Sequence, residues 1–484
     1  MKREFLLNIG FLIVVNLLIK PFYIFGIDRT VQNTVEAREY GLYFTLFNFT
    51  FLFQIINDFG LQNFNNRHLS QHRQLLAKYF PSFLMLKFLL AILYLLVLYV
   101  AANLADYPDE YFHMLWLIGV NCILLSLVLY LRSNVSGLGW YRTDSLLSVL
   151  NRSLMIVVCG ILLWNPAWKG DFRIEWFVYA QTFTLVLTAL VAFAVIFREL
   201  KNWVFRLRPV YLLLILKKSY PYALVIFLMT VYTRIDGVMI ERLLADGTRE
   251  AGIYAMAYRL LDAANMFGFL IAGLLLPMFA RMLRDRQSVF PLLNLSFRIV
   301  WVVSIGLAFA VFFFRERIMT GLYVEGDAYS GDVLGYLILS FIAASGTYIH
   351  GTLLTANGSM LKMNLIFVIG VILNVLLNCW LIPEMQALGA ALATCITQFV
   401  VWLAQVELVR RIFGKPLQWR LLGQFVLFAV ACLLSFQWLA GLQGKWLWYF
   451  LLCFPLTGAL AFVFGLVTRR QILELLSGRD NFGW

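Results

Sequence analysis

Ten ionisable side chains stand inside long apolar runs of this 484-residue chain: Lys20, Asp58, Lys87, Arg152, Arg234, Asp236, Arg259, Asp262, Arg298 and Glu407. A charge surrounded by hydrocarbon is costly, and it persists where it pairs, meets water or binds something. Six of the ten are cations. A buried surplus of positive charge suits an anion, phosphate above all, because Lys and Arg give charge-assisted donors to phosphate oxygens. Helical spacing sorts several of them onto shared faces. Asn16, Lys20 and Tyr23 fall at i, i+4, i+7, and Phe47, Phe51, Gln54 and Asp58 form a second stripe. Tyr254, Tyr258, Asp262 and Asn265 form a third, with Arg259 one step around; Ser145, Ser148 and Arg152 form a fourth. Aromatic rings beside amides and hydroxyls match the faces of sugars.

Lys20, Arg234 and Arg259 are accordingly the candidate cations for an anionic group, and Asn16, Tyr23, Gln54, Tyr254, Tyr258 and Asn265 the candidate polar and aromatic lining. Asp236 and Asp262 are candidates for taking up H⁺ or Na⁺, each with an arginine close in sequence that opposes protonation. Plainer readings stand beside these. Arg259 and Asp262, at i,i+3, can form a structural ion pair, and Lys20 can snorkel to the end of its helix. Asp58 can cap its helix or meet a loop arginine, Arg298 can pair with an acid on a neighbouring helix, and Asn374 and Asn378 can bond between helices.

The elements that must position these residues follow from composition. The chain is 62% hydrophobic and 13% charged, with a mean hydropathy of +0.81. Soluble domains are about half apolar and a quarter charged, so a cytosolic enzyme, a nucleic-acid binder and a disordered scaffold are excluded. At about 20 residues per crossing, the apolar runs predict an all-α integral membrane protein of about fourteen transmembrane helices. The first, over 5–27, is too long for a signal-peptide core and has no small-residue cleavage site; the second covers 40–61. Arginines and lysines concentrate in alternate loops, while Asp106, Asp109, Glu110, Glu325, Asp327 and Asp332 fall in the others. The positive-inside rule then places both termini in the cytoplasm. The six cysteines lie in apolar runs without a CxxC pair, and the four histidines are too scattered for a metal site.

An internal repeat organises the helices. Arg38-Glu39-Tyr40-Gly41-Leu42-Tyr43 is echoed by Arg249-Glu250-Ala251-Gly252-Ile253-Tyr254, an offset of 211 residues between Gly41 and Gly252. Leu138-Gly139-Trp140-Tyr141-Arg142 is echoed by the segment from Asn357-Gly358 to Lys362. Equivalent points lie six spans apart, so the halves run parallel. The expected organisation is an N-lobe at 1–200, a basic amphipathic linker at 201–217, a C-lobe at 218–412, and two further helices with a cytoplasmic tail at 413–484.

These residues resemble a family. Asp236-Gly237-Val238-Met239-Ile240, the run from Ala251 to Leu260, Leu276-Pro277, Asn374-Val375-Leu376-Leu377-Asn378, Leu381-Ile382-Pro383, the run from Gly389 to Thr394, Glu39-Tyr40-Gly41-Leu42-Tyr43 and Asp58-Phe59-Gly60-Leu61 are similar to the polysaccharide-transporter branch of the multidrug/oligosaccharidyl-lipid/polysaccharide exporter superfamily. The resemblance implies two six-helix lobes of the MATE-like kind. It also implies a Wzx-type flippase, which moves undecaprenyl-diphosphate-linked oligosaccharide from the inner to the outer leaflet of a bacterial cytoplasmic membrane by alternating access. Membrane lipids, H⁺ or Na⁺ and other polysaccharide assembly proteins would be its partners; no cofactor and no nucleic acid is expected. A drug/cation antiporter would prefer an acidic cavity, and a lipid II flippase is a second relative. A membrane glycosyltransferase or polymerase needs catalytic carboxylates on a large external loop, which the spans leave no room for.

Overall fold

The computed structural model describes residues 18–62, 65, 69, 76–165, 168, 170–198, 209–414 and 419–467. Asn16, most of the first expected span, His68, His72, 201–208 of the linker and both terminal segments lie outside the described residues. Every regular element among the described residues is helical, and eleven helices are long and apolar enough to cross a membrane. The chain is a multi-pass membrane protein.

Cα packing divides it after Ala255 into two compact units. Unit 1 contains a π-helical turn, Tyr23–Asp28, followed by α1 (Arg29–Thr34), α2 (Ala37–Leu52), α3 (Gln54–Asp58), α4 (Leu76–Leu104), α5 (Asp109–Gly137), α6 (Tyr141–Trp164), α7 (Ile174–Phe197), α8 (Pro209–Leu243) and the opening turns of α9 (Gly247–Arg284). Unit 2 contains the rest of α9, then α10 (Phe290–Leu322), α11 (Ala328–Ala356), α12 (Met360–Phe413), α13 (Trp419–Gly441) and α14 (Trp446–Val463). α12 is two helices joined at Gln386, which takes φ 56°, ψ −134° three residues after Pro383. Proline ends the first half because it cannot donate to the helical ladder.

The second expected span is divided. α2 stops at Leu52, Phe53 sits at φ −90°, ψ 0°, and α3 follows. No glycine or proline marks this break. Its cause is tertiary: the Tyr94 hydroxyl of α4 donates to the Thr50 carbonyl at 3.0 Å. At the far end of α3 the Asn57 carbonyl accepts from Lys87 Nζ and Ser126 Oγ, each at 3.1 Å. Backbone at membrane depth leaves the helical ladder only where side chains replace the lost bonds.

Lipid is as apolar as leucine, so helices in a bilayer associate by close approach rather than by hydrophobic transfer. In unit 1 one such close approach joins the two copies of the repeated motif. A Cβ on Gly41 would overlap the Thr248 carbonyl, and a Cβ on Gly252 would overlap the Ala37 carbonyl. The repeat carries Gly41 onto Gly252 and Ala37 onto Thr248, so each contact is the image of the other. The second echoed pair also shares a geometry: Gly139 after α5 and Gly358 after α11 take φ 84° and 74°, the left-handed helix ending that glycine permits without a Cβ clash.

Candidate functional site

Unit 1 gathers three of the sequence-selected residues. The guanidinium of Arg152, from α6, lies 4.3 Å from the centroid of the Tyr23 ring. Lys20, one turn before Tyr23, is close enough to Arg152 and to Arg132 to feel both charges. Arg132 is neutralised by Asp144 at 2.8 Å. Lys20 and Arg152 have no carboxylate partner among the described residues. The result is two half-buried cations near each other, Arg152 stacked on the Tyr23 ring and Lys20 one turn before it on the same helix, and like charges so placed repel until an anion joins them.

A second group lies on α2, α8 and the start of α9. The Arg234 guanidinium stands 5.6 Å from the Phe51 ring and 6.0 Å from Phe47, so the phenylalanines of the second stripe meet a cation from α8. Asp236, buried two residues on, accepts from the Tyr254 hydroxyl at 2.8 Å. Gln54, on the same stripe, is engaged elsewhere. Its amide donates to the Cys122 carbonyl at 3.0 Å and accepts from Asn57 at 3.4 Å, which ties α3 to α5.

Asp58 finds its cation on a neighbouring helix; Arg67 and Arg73 of the loop after it lie outside the described residues. It pairs with Lys87 of α4 at 2.6 Å, and Lys87 also donates to Ser126 Oγ at 2.6 Å. In unit 2, Arg259 and Asp262 pair across one turn of α9 at 3.5 Å. Tyr258 is buried beside them, and Asn265 has a buried side-chain oxygen with no hydrogen-bond partner among the described residues. Arg298 of α10 finds no acid among the described residues, and its Nε is buried without a partner. Glu407 lies at the C-terminal end of α12 and holds Arg410 and Arg411.

One residue of this region escapes sequence reasoning. Asp28 is 2% exposed, accepts from the Tyr40 hydroxyl at 2.9 Å and from Gln32 Nε2 at 3.3 Å. The apolar run ends at Ile27, so Asp28 and Arg29 read as the start of a loop. The π-helical turn instead carries the helix through them.

The family model for polysaccharide biosynthesis proteins matches residues 5–283. No curated protein matches the chain in sequence. Among solved structures, the lipid II flippase MurJ in an inward closed conformation aligns at a TM-score of 0.73 with 14% identity, covering 96% of this chain and 100% of that one. An inward-facing multidrug resistance MATE family transporter of the MOP superfamily aligns at 0.66 with 12% identity, covering 81% and 94%. A MOP superfamily transporter from Pyrococcus furiosus, described by the reverse polarity of its binding pocket, aligns at 0.59 with 11% identity, covering 84% and 94%. At these identities the likeness is one of fold.

Proposed function

Because the chain belongs to the polysaccharide biosynthesis protein family and has the fold of MOP-superfamily transporters, we propose that it is a transporter, not an enzyme, and that it flips undecaprenyl-diphosphate-linked oligosaccharide between membrane leaflets. The observation that carries this reading is Arg152 on the face of Tyr23 with a second cation, Lys20, near enough to feel its charge, and neither is paired with a carboxylate among the described residues. A diphosphate supplies the missing charge and enough oxygens for both donors. Arg234 in unit 1 and Arg259 in unit 2 are the further candidate cations for the headgroup. Tyr254, Tyr258, Gln54, Asn265 and Asn16 are the candidate sugar contacts, of which Gln54 and Tyr254 would have to release Cys122 and Asp236, and Asp236 and Asp262 are the candidate carboxylates for coupling to H⁺ or Na⁺.

The parallel repeat supports lobes at 1–200 and 218–412, linked by 201–217 and followed by 413–484, that rock against each other as the headgroup crosses while the polyprenyl tail stays in lipid. Positive-inside bias supports a bacterial cytoplasmic membrane with both termini inside. A second reading, flipping of lipid II, is favoured by the nearly full-length likeness to MurJ, since the MATE transporter is matched over a smaller share of the chain.

Deletion of the gene tests the proposal. Lipid-linked oligosaccharide is expected to accumulate on the inner leaflet, rescued by the wild type and not by Lys20→Gln/Arg152→Gln at equal protein level. Accumulation of lipid II instead selects the second reading. Unchanged pools of both overturn the flippase assignment.

A further inference from the structure

Unit 2 contains a cavity of about 260 Å³ among α10, α11, the second half of α12 and α13. Four rings build its wall: Trp301 lies 4.8 Å from Phe297, 4.7 Å from Trp402 and 5.0 Å from Phe425, centroid to centroid. His350 closes it at 5.1 Å from Phe297. The polar handles of these rings turn away from the space. Trp301 Nε1 donates to the Ile342 carbonyl at 2.8 Å, and His350 Nδ1 meets the Gly346 carbonyl at 3.0 Å. The Trp402 indole nitrogen lies against Gly346. Apart from Asn294 and, at the mouth, Arg410, the lining is hydrocarbon, which selects an alkyl chain over a polar solute.

The mouth has the opposite character. It lies where α10 begins, α12 ends and α13 begins, and Arg410 lines it. Glu407 holds both Arg410, at 2.6 Å, and Arg411, at 2.7 Å, so one carboxylate serves two cations and a positive charge is left over. Arg420, exposed, precedes the lining residues Leu421 and Leu422. Leu403 and Leu422 line the cavity yet are exposed, so its side opens outward from the helices, towards the bilayer. An apolar slot open to lipid and cationic at the level of the helix ends is complementary to an amphiphile with an anionic head.

We propose that this cavity is a binding site for an anionic phospholipid, with one acyl chain against the Phe297, Trp301, Trp402 and Phe425 wall and the phosphate at Arg410 and Arg420. A zwitterionic lipid offers the same chain but brings its own ammonium, and so gains less from the surplus charge. The assignment stands on unit 2 alone and is independent of what the protein transports.

The test is native mass spectrometry of the full chain in mild detergent, titrated with phosphatidylglycerol, phosphatidylcholine and undecaprenyl phosphate. The wild type is expected to retain phosphatidylglycerol about tenfold more strongly than phosphatidylcholine of the same chains, the size of one charge-assisted hydrogen bond. Arg410→Gln/Arg420→Gln abolishes that preference, Leu421→Trp lowers retention of both phospholipids by filling the slot, and Glu407→Gln strengthens the preference by freeing a cation. Arg410 and Arg420 are exposed, so their replacement keeps the fold and carries the test even if the tryptophan variant does not fold. Equal retention of the two phospholipids by the wild type overturns the proposal, as does a preference that survives the double arginine variant. Tighter retention of undecaprenyl phosphate, lost in Leu421→Trp, overturns it in favour of an isoprenoid tail.

Discussion

Unit 1 buries two lysines in opposite ways. Lys87 is 6% exposed, and the protein answers its charge in full: Asp58 at 2.6 Å, Ser126 Oγ at 2.6 Å and the Asn57 carbonyl at 3.1 Å. Lys20 has a second cation, Arg152, where Lys87 has a carboxylate. The first site is closed, its desolvation offset by its own partners, and it fastens α3 to α4 and α5. The second is open. A charge inside a membrane protein points to a ligand only when the surrounding helices decline to pair it, and sequence position alone does not distinguish the two cases.

The largest way to test the contrast is to remove one side of the closed site. Lys87→Met leaves the part-buried Asp58 carboxylate without its cation and should cost up to about 3 kcal/mol, read as a large drop in thermal unfolding temperature in detergent; adding Asp58→Asn should recover most of it. Lys20→Met in the same assay should leave the unfolding temperature unchanged or raise it, and an equal loss at both lysines would erase the distinction. Next in size is transport. Lys20→Gln or Arg152→Gln should slow flipping by about tenfold or more with the fold intact, while Lys20→Arg keeps most of the activity.

Arg259 lies between the extremes, paired with Asp262 at 3.5 Å. Arg259→Gln should cost roughly 0.5–1 kcal/mol or less in stability and slow transport only a few-fold. A transport loss as deep as that of Lys20→Gln would move Arg259 into the open class. The smallest effect belongs to Glu39, at the first turn of α2. Desolvation and the nearby Glu175 and Glu36 hold its carboxyl above the ordinary range. The folded chain then binds that proton more tightly than the unfolded chain, so stability falls as pH rises through the window just above the usual carboxylate pKa. The group is largely exposed, which keeps the slope well under about 1 kcal/mol in total. Glu39→Gln should flatten it in unfolding curves taken from pH 4 to 7, on the order of the window in which such carboxyls titrate.

The membrane fold was legible because a bilayer demands long apolar helices and few other backbone solutions. The repeat was legible because close helix crossings and left-handed helix ends both require glycine, at Gly41 and Gly252 and at Gly139 and Gly358. The break at Phe53 was not, since its cause lies on α4, at Tyr94, which bonds the Thr50 carbonyl forty-four residues before it. The site divided in the same way. Helical spacing put Lys20 beside Tyr23, and it put Arg259 beside Asp262. It could not bring Arg152 to Tyr23, pair Asp58 with Lys87, or leave Arg298 without an acid among the described residues, because each depends on which helices become neighbours. Asp28 was hidden by a π-helical turn, a one-residue widening that no local pattern announces.

The glycine crossing of unit 1 has a further consequence. Gly41 meets Thr248 while Gly252 meets Ala37, so each copy of the motif offers its partner the surface it receives. That is the isologous contact of a two-fold dimer, here made within one polypeptide. A half-length chain bearing this motif could meet a second copy of itself through the same glycines. Fusion makes the joint independent of concentration and lets the copies diverge. Their equivalent tyrosines have done so: Tyr43 accepts from Gln181 at 2.7 Å, whereas Tyr254 donates to Asp236. Tyr40, which holds Asp28, faces an alanine, Ala251, as its counterpart in the second copy. A symmetric joint has thereby come to serve asymmetric chemistry.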